Sequence, residues 1–299
     1  MKSDEYFELE KFDLYKNNSL RIHTIAEKVY FPYTINGLLG LCEKFKGSKE
    51  YIIIGKGSNS VFVSNNHKTP IICTNLLNGI EYTNETFVVQ CGVSLSELSW
   101  FALEKSVEGY EFLEDIPGSV GGALYMNAGT YDDTISQLVV SVKIYDFDKN
   151  EVLCLSESDL KPFWGKRESY FSLHNCCILE CVLNASSLGD SLKILEKILA
   201  TKKARYLKQP REFPSAGSVF KRPYFEGKPV YVWELMDELG LRGFTIGGAC
   251  VSEKHPGFIV NKNNCTGADV EKLLIHCKSA VKSHFGIDLQ EEWKIIKED

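Results

Sequence analysis

The chain has 299 residues, 44% of them hydrophobic and 25% charged, and a formal net charge of −6. That length exceeds one small domain, the hydrophobic share is ordinary for a globular protein, and the acidic balance excludes the broad basic face that nucleic-acid binding needs. No apolar run approaches the roughly 20 residues of a membrane span, and the opening MKSDEYFELEKFD lacks the apolar core of a signal peptide. The cysteines are scattered, mostly within apolar runs and with no CxxC pair, so free thiols in a reducing cytoplasm are expected and a metal site is not.

In chain order, residues 1–18 are polar and read as peripheral. A helical pattern over 36–45 precedes Gly47, and short apolar runs at 51–54, 61–63, 71–73 and 87–91 read as strands separated by turn residues. Ser94 and Glu97 form a capping box for a helix whose apolar face carries Leu95, Leu98, Phe101 and Ala102. Runs at 138–147 and 152–155 read as a hairpin about the DKN at 148–150, followed by a strand over 178–183. Composition then shifts. An amphipathic helix over 191–203 ends in lysines, which suits its dipole, and a domain boundary is placed near 190. Beyond it, helices are expected over 232–239 and from the Thr266–Asp269 cap to Phe285, where Gly286 stops the helix. The segment 289–296 alternates like an edge strand. Strands first and a mixed region after give an α+β class.

Two glycine-rich loops carry the first functional signal. One is Gly55, Lys56, Gly57, Ser58 and Asn59, directly after the apolar run at 51–54. The other is IPGSVGGALYMNAG at 116–129, which offers Ile116, Pro117, Gly118, Ser119, Gly121, Gly122, Asn127, Ala128 and Gly129. Loops without Cβ atoms let main-chain N–H groups approach an anion such as a diphosphate, although glycine runs also serve plain tight turns. Two such loops, each flanked by strand or helix signals, suggest one extended phosphate-bearing cofactor held from two sides.

The second signal is a basic cluster in an acidic chain: Arg205, Lys208 and Arg211, then Lys221 and Arg222, bracketing the small-residue turn PSAGS at 214–218. A solvated charged face is the bland reading; the bracketed turn favours an anionic substrate. Ser218 lacks a G-x-S-x-G context, which argues against a nucleophilic hydrolase. Taken singly, Arg167 reads as a surface ion pair and Glu292 as an exposed strand carboxylate.

As a set, these motifs resemble the UDP-N-acetylenolpyruvoylglucosamine reductase family. The matching stretches are GKGSN (55–59), IPGSVGGALYMNAGTY (116–131), KRESYF (166–171), RYLKQP (205–210), PSAGSVFKRP (214–223), LRGFTIGGACVSEKHPGFIVN (241–261) and LQEEWKII (289–296). The match covers residues 18–297 in the family's order, and the short path from Asn184 to Arg205 resembles the family's shorter type, without an inserted tyrosine loop. The resemblance implies a two-part FAD-binding region of the vanillyl-alcohol-oxidase/PCMH-like type over 1–190, with subdomains near 18–75 and 76–190, and a substrate domain over 191–299. It implies an NADPH-dependent, cytoplasmic flavin oxidoreductase that converts UDP-N-acetylglucosamine enolpyruvate to UDP-N-acetylmuramate, a step of peptidoglycan synthesis. By motif match Ser218 protonates carbon, Arg167 and Glu292 stabilise the developing charge, and Lys208, Lys221 and Arg222 hold the nucleotide diphosphate. Such chemistry builds negative charge beside a carboxylate and so needs a cation and a proton donor aimed at it. The chain departs from the family pattern at His23, Thr24, Asp115, Lys166 and Lys297. A diverged paralogue acting on another enolpyruvyl or nucleotide-sugar substrate, and a non-catalytic binder of FAD or nucleotide sugar, are the alternatives. Sequence alone assigns no oligomeric state.

Overall fold

The computed structural model describes residues 5–48, 50–130 and 133–298. Tyr131, the last residue of the second glycine motif, lies outside the described residues. Its contacts divide the chain into two compact units. The first comprises the chain up to Glu10, Lys28–Lys56 and Thr69–Arg205; the second comprises Lys11–Glu27, Gly57–Lys68 and the chain from Tyr206 onward.

The first unit holds two sheets, each over its own core. In one, Ile25–Pro32 runs parallel to Ile71–Cys73, which runs parallel to Ile52–Ile54, while Tyr6–Asp13 lies at the edge beside Ile25–Pro32. The helix Ile35–Phe45, capped by Thr34 Oγ1 at Gly37 N, buries Leu38, Leu41 and Cys42 with Ile72 and Tyr145. The other sheet is antiparallel throughout, in the order Glu151–Ser156, Val139–Asp146, Cys176–Asn184, Thr86–Gln90, Ile80–Thr83. Beneath it the helix Leu95–Glu104 buries Leu95, Leu98 and Ala102, and its Ser94–Glu97 capping box forms with both reciprocal bonds.

The second unit is built on an antiparallel sheet ordered Ser215–Ser218, Phe258–Asn261, Ala249–Val251, Thr245–Ile246. The helix Gly267–Phe285, capped by Thr266 and ended by Gly286 at φ 73°, covers it with Val270, Leu273, Leu274, Cys277 and Val281. Lys294–Ile296 pairs in parallel with Ser60–Phe62.

The architecture is α+β, as the sequence implies, and most expected elements appear within a residue or two. Several differ. Tyr6–Asp13 is a strand, not a polar periphery: its charged residues face solvent, and Lys28 holds Glu8 at 3.0 Å. Ile25–Pro32 is a strand that sequence reading passed over. The second glycine stretch contains a helix, Val120–Met126, and the helix expected over 191–203 runs on to Lys208. That helix also moves the division of the chain from the expected 190 to beyond Arg205. It is fastened to the first unit by Lys197 to Glu111 at 3.3 Å, Lys202 to Glu114 at 3.0 Å, and Arg205 Nε to Asp115 O at 3.2 Å. Among the described residues no helix is long and apolar enough to cross a membrane.

Candidate functional site

In the first unit the two glycine loops meet. A Cβ placed on Gly55 would lie 2.1 Å from Ser119 Oγ, and one on Gly121 would lie 2.9 Å from Cys91 Cβ. Gly92 is pressed likewise against Thr74, whose carbonyl oxygen would sit 2.0 Å from a Cβ there, while Thr74 Oγ1 donates to Ile54 O at 3.3 Å. Four segments therefore meet where these glycines leave no room for a side chain of their own. Burial pushes the Cys91 thiol up to about 12, so it stays a neutral, unreactive neighbour of the cradle.

These distances revise the reading of the glycines. At Gly55, Gly57, Gly121 and Gly129 the missing Cβ is already required by the chain itself; for Gly57 the obstacle is Asn17 O at 2.1 Å, and for Gly129 it is Asp133 O at 2.0 Å. Gly122 is different: its Cβ would find only Ser119 Oγ, at 3.5 Å. Gly118 takes φ 141°, a conformation side chains avoid. Within the first unit, among the described residues, the main-chain N–H groups of Lys56, Gly118 and Ser119 have no protein acceptor. Asn127 is 6% exposed, and its Oδ1 is buried without a hydrogen-bond partner. Bare donors suit a diphosphate and an orphan acceptor suits an imide N–H, so the residues present fit a flavin dinucleotide.

The charged and amide side chains of the first loop are engaged elsewhere. Lys56 Nζ lies 3.8 Å from Glu97, whose carboxyl is held below the usual range first by the hydrogen bond from Ser94. Asn59 Nδ2 donates to Glu292 O at 3.0 Å, and Asn59 O accepts from Lys294 N at 2.8 Å. Asn59 thus fixes the main chain on both sides of Trp293.

Arg167 stands on a turn of the first unit. Gly165 N donates to Glu168 O at 3.0 Å across the turn, and Arg167 takes φ 61°, where a type II turn calls for glycine. Flanking the turn, Asn127 Nδ2 donates to Gly165 O at 2.9 Å and Ser169 Oγ donates to Tyr125 O at 2.8 Å. Ser169 is fully buried.

Ser218 and Glu292 come together in the second unit. Gly217, at φ 80°, interrupts the pairing of Ser215–Ser218 with Phe258–Asn261 and leaves Ser218 exposed. One residue on, Val219 O accepts from Glu292 N at 2.8 Å, and Lys221 N donates to Gln290 O at 2.8 Å. Ser218 and Glu292 therefore lie on adjacent segments, set by the ladder that buries Val219, Phe220 and Trp293. Lys221 and Arg222 line a cavity of about 410 Å³ with Tyr224, Phe225, Asp288 and Gln290, and the Arg222 guanidinium stacks 4.1 Å from the Tyr231 ring centre. Lys208 ends its helix away from that lining, and Arg205 is turned to Asp115.

Asp115, where the family pattern has glycine, takes φ 63°, which explains the glycine; here Ser96 Oγ and Arg205 Nε fasten its main chain at 3.2 Å each. Thr24 is buried with Oγ1 donating to Ser64 O at 2.7 Å, and His23 stacks on Tyr15 at 4.3 Å. Both departures are absorbed into local structure.

A family model for the UDP-N-acetylenolpyruvoylglucosamine reductase C-terminal domain matches residues 209–296, and one for an FAD binding domain matches residues 35–155. A UDP-N-acetylenolpyruvoylglucosamine reductase of Clostridium beijerinckii is 37% identical over 96% of both chains. The chain belongs to the UDP-N-acetylenolpyruvoylglucosamine reductase family. A relative of the same name from Clostridium tetani is 41% identical over 83% of this chain and 78% of its own. The crystal structure of the reductase from Thermus caldophilus has the same fold, with TM-score 0.77 over 97% of this chain and 98% of that one at 24% identity. As a member of this family the protein is an FAD-dependent oxidoreductase with NADPH as reductant.

Sequence reasoning passed over Ser169, Thr74 and Ser96, each of which fixes a site loop through the main chain. Ser169 alone left a trace, as the residue beginning the short helix Tyr170–Leu173.

Proposed function

We propose that this protein reduces the enolpyruvyl ether of UDP-N-acetylglucosamine to the lactyl ether of UDP-N-acetylmuramate, supplying a precursor of peptidoglycan. Support comes above all from the neighbouring Ser218 and Glu292, a proton donor beside a carboxylate in a chain 37% identical to such a reductase over 96% of its length. Bound FAD supplies hydride transfer from NADPH to the substrate. Ser218 holds the proton for the carbon next to the substrate carboxylate; exposed at the strand end, its hydroxyl is accessible to a ligand. Glu292, fixed by Val219 O and Asn59 Nδ2 at its main chain, stabilises charge developing at that carbon. Arg167 pairs with the substrate carboxylate, and its strained φ of 61° is the kind of cost a functional position carries.

Lys221 and Arg222 bind the diphosphate beside the cavity they line, and Lys208, outside that lining, adds a third cation. The first unit is the FAD-binding region and the second the substrate domain, with Gly55, Lys56, Gly118, Ser119, Gly122, Asn127 and Ala128 presenting main chain to the cofactor. The protein works in the cytoplasm, in keeping with ten free cysteines. The test is optical. NADPH should bleach the flavin absorbance of the purified protein, and the enolpyruvyl nucleotide sugar should restore it with stoichiometric lactyl product. Bleaching that other enolpyruvyl compounds reverse and this one does not would assign a different substrate.

A further inference from the structure

The geometry points to Asn127 and Ser169 as positioning residues that clamp the Arg167 turn to the helix rising from the glycine cradle. This inference rests on the role proposed for Arg167.

Three observations carry it. Arg167 sits at φ 61°, a left-handed conformation that side chains avoid and that persists only where the surroundings over-determine it. The over-determination is visible two residues to either side: Gly165 O receives Asn127 Nδ2 at 2.9 Å, and Ser169 Oγ reaches Tyr125 O at 2.8 Å. Both tethers end on one element, the helix Val120–Met126. Tyr125 belongs to it, and Asn127 is its C-cap, at φ 44° and ψ 56°. The same helix begins at Ser119, the residue pressed against Gly55 in the cradle. The cradle and the arginine turn are thus opposite ends of a single seven-residue helix.

The choice of side chains follows from this. Asparagine is among the few residues that tolerate the left-handed cap, and its amide then points a donor back at a carbonyl. Ser169 is fully buried and also caps the following helix, accepting from Ser172 N at 3.3 Å, so its hydroxyl is fixed in direction by two partners. An arginine that must meet a carboxylate bidentately gains from such fixing, since a shift of about 1 Å in a reacting group can cost about 100-fold in rate.

The test uses two variants. Asn127→Gly keeps the left-handed cap and removes the donor; Ser169→Ala removes the second tether at a residue outside the cradle. In the flavin-loaded protein each should lower turnover roughly 5-fold per bound flavin, the equivalent of about 1 kcal/mol for one lost buried hydrogen bond. In an Arg167→Ala background neither should lower it by more than about twofold, since the effect passes through the arginine. NADPH-driven bleaching should keep its wild-type rate in Ser169→Ala, whose side chain lies outside the cradle.

A second readout needs no substrate. Trypsin cleavage after Lys166 and Arg167, followed by mass spectrometry, should be several-fold faster in each variant than in the wild-type protein. Unchanged cleavage would overturn the clamp, and losses that multiply fully with Arg167→Ala would overturn action through the arginine. Should the wild-type protein not turn over the enolpyruvyl nucleotide sugar at all, the proposed function falls, while the cleavage rates still decide the clamp.

Discussion

The close meeting of Gly55 and Ser119 makes a quantitative prediction. Gly55→Ala would place a methyl 2.1 Å from Ser119 Oγ and 3.2 Å from Ser119 Cβ, so the hydroxyl must turn away. That hydroxyl caps the helix Val120–Met126 by accepting from Gly122 N at 3.3 Å, and losing a serine cap costs about 1 kcal/mol. The remaining crowding against Ser119 Cβ adds about 1 kcal/mol. Gly55→Ala should then cost about 2 kcal/mol and Ser119→Ala about 1 kcal/mol. The double variant should cost about 2 kcal/mol, not 3, because the cap can be lost only once. The entropy that alanine removes from the unfolded chain enters both backgrounds equally and cancels. Urea unfolding of the flavin-loaded protein, followed by the fluorescence of Trp100 and Trp164 in the first unit, reads the cycle. Costs that add to within about 0.3 kcal/mol would show that residue 55 does not govern the cap, and the interlocked cradle would be refuted.

Three further outcomes follow from the site and its surroundings. Ser218→Ala should leave NADPH bleaching near normal and slow substrate-driven recovery by about 10²–10⁴-fold, read by stopped-flow absorbance; equal slowing of both would make Ser218 a turn residue. Lys221→Ala should raise the substrate KM with flavin content unchanged, whereas lost flavin at an unchanged KM would put the lysine in the wrong site. Burial, outweighing the attraction of Glu298 at 3.2 Å, holds the His67 pKa below its ordinary 6.5. The stabilisation from the neutral ring is therefore complete above pH 6.5 and lost as pH falls through the lower folded value. Urea midpoints between pH 5 and 8 should fall on acidification, and His67→Gln should flatten that slope; an unchanged slope would assign it to other groups.

The sequence by itself determined what is local. Ser94 with Glu97, Thr266 with Asp269 and the stop at Gly286 were legible because a cap is satisfied within one turn. The family motifs were legible as well, since they are runs of adjacent residues. The tertiary structure decided whatever depends on a distant partner. The strand at Tyr6–Asp13 reads as polar because an edge strand exposes most of its side chains, and only the neighbouring Ile25–Pro32 makes it a strand. The closing segment looked like an edge strand by alternation, yet its regular part is Lys294–Ile296, paired in parallel with Ser60–Phe62 far back in the chain.

For the site, the sequence could name glycines but not what their missing Cβ atoms made room for. At Gly57 and Gly129 the answer is this chain's own main chain, and at Gly55 and Gly121 the side chains of Ser119 and Cys91, at separations no spacing rule encodes. The placing of Glu292 beside Val219, next to Ser218, was likewise invisible, because it is set by a main-chain ladder whose ends lie at opposite ends of the second unit's sequence from Tyr206 onward. Backbone strain was the least legible of all: Arg167 and Asp115 carry no mark of positive φ in their side chains, and only the folded turns that hold them there reveal it.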